Sequence, residues 1–120
     1  MATDISNLRE TLQNEMQGEL NRIQLRCAEL DTLAEQCQVE ITRLQAKNVD
    51  LNQQLHHEEA NLDPHPNDFK KHWGLYESLL DAKTRLVIMQ CQFEKYMQER
   101  TQLDAFREVF IRFESYIEQA

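Results

Sequence analysis

The sequence predicts an all-α protein, a long antiparallel helical hairpin of coiled-coil type that assembles into a helical bundle, and three observations carry that expectation. Only 2 glycines and 2 prolines punctuate 120 residues, too few for a fold of many strands and turns. Apolar residues recur at alternating spacings of three and four over a long stretch. Pro64 and Pro66 stand almost together near the middle of the chain.

The first helix is expected over residues 1–62. Its seam is Leu20, Ile23, Cys27, Leu30, Ala34, Cys37, Ile41, Leu44, Asn48, Leu51 and Leu55, a heptad pattern with one polar member, Asn48. Upstream, Ile5, Leu8, Leu12 and Met16 continue the stripe but slip to spacings of four, a stutter that relaxes left-handed supercoiling. A hinge is expected at 63–68, because each proline lacks an amide donor and biases its predecessor away from helix. Asn67 or Asp68 can cap the next helix.

The second helix is expected over 69–120, where Phe69, Trp73, Tyr76, Leu79, Leu86, Met89, Phe93, Tyr96, Leu103, Phe110 and Ile117 follow near-helical spacing. All nine aromatic residues lie in this half. A thin helix therefore precedes a thick one. Folding back about residue 65 makes opposing residue numbers sum to about 130, which sets Cys37 against Phe93 and Ala34 against Tyr96. Small residues then face large ones. The rival arrangement is a parallel homodimer of 20–62, in which Asn48 fixes register; of the flanking pairs it brings together, Arg26 with Asp31 is complementary and the others are neutral.

Charge and composition narrow the function classes. A net charge of -8 argues against nucleic acid, whose phosphates need clustered Lys and Arg. Residues 1–62 carry eleven acids against five bases, so anionic lipid surfaces repel that half. The longest apolar run, Leu86 to Met89, is far short of a membrane span, and no secretory signal is expected at Met1. Cys27, Cys37 and Cys91 are odd in number and read as reduced thiols, which points to a cytoplasmic protein, with nuclear or cytoskeletal association open.

No catalytic constellation is expected. His56, His57, His65 and His72 gather near the hinge with Glu58, Glu59 and Asp63, but no His-x3-His or Glu-x-x-His spacing is present, so the cluster reads as a solvated polar hinge and not a metal site. Four imidazoles beside carboxylates also allow a pH-sensing reading. The cysteines lack an activating neighbour in sequence, and there is no phosphate loop or nucleophile elbow. No cofactor or metal is implied.

Helix 2 has more apolar surface than one thin helix can bury. Leu80 and Val87 flank the seam, and Phe106, Val109, Phe110, Phe113, Tyr116 and Ile117 widen it near the carboxyl end. These residues form the expected partner or oligomer interface. The expected function is that of a non-catalytic structural or adaptor subunit that self-associates or joins a related coiled-coil chain. The alternative is a hairpin chaperone that clasps a client.

Overall fold

The computed structural model describes the backbone of residues 2–60 and 66–119 and the side chains of residues 4–59 and 72–119. Two helices, α1 (Ala2–Ala60) and α2 (Pro66–Gln119), make up all of the described residues and pair as a helical hairpin. No described residue is in a strand. The start expected at residue 69 moves to Pro66, whose fixed φ and missing amide suit a first helical turn. Asn67 and Asp68 therefore lie inside that turn and not at its cap. Residues 61–65, the rest of the expected hinge, and the side chain of Phe69 lie outside the described residues.

The hairpin divides into two compact units. The central unit is Glu35–Glu94, and the terminal unit joins Met1–Ala34 to Lys95–Ala120.

In the central unit, the α1 seam from Cys37 to Leu55 is buried throughout, including Asn48. Leu51 and Leu55 cluster with Leu79 and Ala82 of α2, and Leu75 packs against them. Glu58 and His72 approach to 3.6 Å, a pair whose numbers sum to about 130. The register follows from there. Stepping by heptads from His72 gives Leu75, Leu79, Ala82, Leu86, Met89 and Phe93, and every one of them is buried or half-buried.

That stripe corrects the start of the expected second seam. Trp73 is 56% exposed and Tyr76 is exposed too, while His72 is only 8% exposed. The reason is phase: Trp73 and Tyr76 sit one position past the heptad positions held by His72 and Leu75, about 100° further round the helix. Aromatic content misled the reading, and position decided it.

In the terminal unit, Leu20, Ile23, Cys27, Leu30 and Ala34 are buried, with Met16 below them. Their counterparts on α2, Tyr96, Leu103, Phe110 and Ile117, are only half-buried. The seam also holds Arg100, which bonds across to Asp31 of α1 at 3.0 Å and along its own helix to Asp104. Leu30 here and Leu44 in the central unit are each 1% exposed, worth roughly 1.5–3 kcal/mol apiece in apolar burial.

The stutter has a visible consequence in this unit. A spacing of four advances about 40° beyond a full turn, so each step carries the apolar stripe further from the seam. Exposure climbs accordingly, from 6% at Met16 to 38% at Leu12 and 61% at Leu8.

Candidate protein-interaction faces

Two cross-helix polar links orient the flanks of the terminal unit. On one flank Arg26 donates from Nε and Nη2 to the two carboxylate oxygens of Glu99, at 3.3 and 3.0 Å. Glu99, and then Glu29, hold the Arg26 guanidinium above its ordinary value by hydrogen bonding, so it stays charged. On the other flank Arg100 joins Asp31 and Asp104. Arg26 and Asp31, the complementary pair of the parallel-dimer reading, thus both find partners within the hairpin.

Heptad steps from the Arg26–Glu99 link lead to an apolar surface. Leu12 lies two heptads before Arg26, and Phe113 lies two heptads after Glu99, so both fall on that same flank at the same level of an antiparallel pair. Ile5 and Leu8 extend the patch along α1, and Phe106, Val109 and Tyr116 extend it along α2. All seven are exposed. The opposite flank carries Asn7, Glu10, Asn14 and Gln17 on α1, with Glu108, Ser115 and Glu118 on α2. The first flank is the more apolar of the two, although Met97 and Ile111, one heptad to either side of Asp104, are exposed on the second.

The structure therefore sorts the expected interface residues. Phe106, Val109, Phe113 and Tyr116 stand on the exposed flank of the terminal unit, while Phe110 and Ile117 belong to its half-buried seam. Leu80 and Val87 are exposed on α2 of the central unit. Ile5, Leu8 and Leu12 were not assigned to an interface from sequence. The run of four-residue spacings was the signal that could have placed them there.

In the central unit, His72, Trp73, Tyr76 and Leu80 line an open groove of about 420 Å³. Trp73 Nε1 donates to Glu77 at 2.8 Å, and the Tyr76 hydroxyl donates across the hairpin to Glu59 at 2.7 Å. That bond to the Glu59 carboxylate, helped by burial, raises the Tyr76 phenol above its ordinary value. The His72 ring meets Tyr76 edge to face at 5.7 Å. Its Nε2 is buried and has no hydrogen-bond partner among the described residues.

His72 consequently leaves the expected polar hinge and joins the core. His56 remains exposed, 3.9 Å from Glu59, and His65 lies outside the described residues. Among the described residues no group of three or more His, Cys, Asp or Glu is placed to hold a metal ion. Cys27 and Cys37 are buried on the seam, and Cys91 is exposed. Among the described residues no helix is long and apolar enough to cross a membrane. No protein-family model, curated protein or solved structure matches this chain.

Proposed function

We propose that the chain is a non-catalytic structural or adaptor subunit of the cytoplasm, which holds protein partners together through helical faces that its own hairpin leaves uncovered. The observation that carries this reading is the apolar flank of the terminal unit, to which both helices contribute. Monomeric proteins seldom expose contiguous apolar patches above about 300–600 Å², and patches beyond that size mark protein contacts. An acidic chain of net charge -8 is a poor partner for nucleic acid, and its helices lack the Lys-rich polar face of membrane-surface binders.

The test is site-specific photocrosslinking in cells. A photoreactive residue at position 113, on the apolar flank, should capture protein, whereas one at 115, on the polar flank, should capture little. Equal capture at both positions, or none at 113, would contradict an assembly role.

A further inference from the structure

Resting on that reading, we infer that the partner of the apolar flank is a second copy of this chain, which packs there about a two-fold axis along the helices to make a four-helix bundle of the terminal units. Three features favour this occupant. The first is area. The seven apolar side chains on the flank are 38–71% exposed, leaving on the order of 800 Å² open, about what one partner gives to a standard-size interface.

The second is spacing. Phe106, Val109, Phe113 and Tyr116 repeat at three, four and three, and Ile5, Leu8 and Leu12 at three and four. That is the spacing of a coiled-coil seam: α2 carries a second seam beside the one that closes the hairpin, and on α1 the single apolar stripe leaves the hairpin seam beyond Met16 and continues onto the same flank. A four-helix bundle asks its members for apolar surface toward two neighbours, which α2 supplies along this stretch and α1 supplies in succession.

The third is self-complementarity. A two-fold axis along the helices sets α2 of one copy against α1 of the other, and all neighbouring helices run antiparallel. Aromatic Phe113 and Tyr116 then meet aliphatic Leu12 and Leu8, while Phe106, one heptad before Phe113, lies level with Glu19 at the edge of the patch. The thick helix again covers the thin one, as it does across the hairpin seam. A lipid surface fits less well, because Glu15 and Glu19 border the flank on α1 and Arg22 beside them is paired with Glu19.

Light scattering and sedimentation of the purified full-length chain test this directly. At tens of micromolar the chain should have twice its monomer mass of 14.3 kDa, and dilution should return it to monomer. Leu12→Glu on α1 and Phe113→Glu on α2 should each raise the dissociation constant at least tenfold, with helicity by circular dichroism retained. Leu80→Glu in the central unit and Ser115→Glu on the polar flank should leave the dimer intact. If the variants lose helicity, a photoreactive residue at 113 in the otherwise wild-type chain must still yield crosslinked dimers in the pure sample. A monomer throughout this range, or a dimer broken by Leu80→Glu but not by Leu12→Glu, overturns the proposal. Binding to vesicles in place of dimer formation also overturns it. If the pure chain is monomeric yet position 113 captures another protein in cells, the second copy is wrong and the assembly role stands.

Discussion

The central and terminal units are built from the same two helices, yet they close differently. In the central unit both helices contribute buried residues, Leu51 and Leu55 from α1 and Leu79 and Ala82 from α2. In the terminal unit α1 is buried from Met16 to Ala34 along its seam, but the large residues facing it from α2 are only half-covered. Side-chain size contributes to the difference, although Leu86 and Met89 of the central unit are half-buried as well. A slender helix can be enclosed by a bulky one, but it is too narrow to enclose the bulky one in return. Wherever aromatic residues concentrate on α2, the pair leaves apolar surface to spare.

That contrast can be broken most forcefully at the core. Leu44→Ala in the central unit should destabilise by about 3 kcal/mol, through lost transfer energy and a cavity at a fully buried site. Leu103→Ala, at a half-buried position of the terminal unit, should cost clearly less, about 1 kcal/mol. Chemical denaturation at a concentration where light scattering gives the monomer mass checks both. Equal costs would mean that the two units are equally closed.

A second substitution sharpens the register of the terminal unit. Ala34 is buried on the seam, and its counterpart at a sum of about 130 is the half-buried Tyr96. Ala34→Phe should lower stability by roughly 1–3 kcal/mol through overpacking. An unchanged melting temperature would show that Ala34 does not face a large residue.

The central unit holds the opposite kind of flaw. Asn48 Oδ1 is buried without a hydrogen-bond partner among the described residues, on a seam position matched with Ala82. Leucine has the same branching without the polar atoms, so Asn48→Leu should raise stability by about 1–2 kcal/mol. Loss of stability would mean that the amide makes a contact in solution that the hairpin alone does not provide.

Much of this was legible in the sequence, and the reasons are specific. Every seam residue expected on α1 is buried, because an unbroken three-four spacing allows only one phase. On α2 the apolar residues spread over a wide arc, so several phases fit. The largest side chains drew the stripe toward Trp73 and Tyr76 and hid Ala82 and Arg100, which occupy true seam positions. Ala82 is too small to mark a stripe. Arg100 reads as a surface residue until Asp31 and Asp104 are seen around it. The exposed apolar stripe on α1 is hard to read for a related reason: a stutter looks like a continuing seam until its accumulated rotation is traced round the helix.

The smallest expected effect is electrostatic. Arg43 hydrogen-bonds Glu40 within the central unit and holds the carboxyl below its ordinary value of 4.5. A lowered folded value means that this contribution is present above pH 4.5 and is lost as the pH falls through the lower folded value. The melting difference between wild type and Glu40→Gln should therefore be small at neutral pH and disappear in acid. A difference that grows on acidification would contradict the pairing.

The hairpin itself is tested most directly by its thiols. Cys27 and Cys37 are buried against the same chain, and Cys91 is exposed. In a parallel, in-register homodimer, Cys27 and Cys37 would each meet their own copy across the seam. The measurement is non-reducing electrophoresis of a Cys91→Ser variant after mild oxidation at neutral pH, at a concentration where light scattering confirms association. The hairpin predicts slow and incomplete crosslinking, because each remaining thiol is enclosed by α2 of its own chain. Rapid, near-complete covalent dimers through Cys27 or Cys37 would contradict the hairpin, and with it both faces assigned to its flanks.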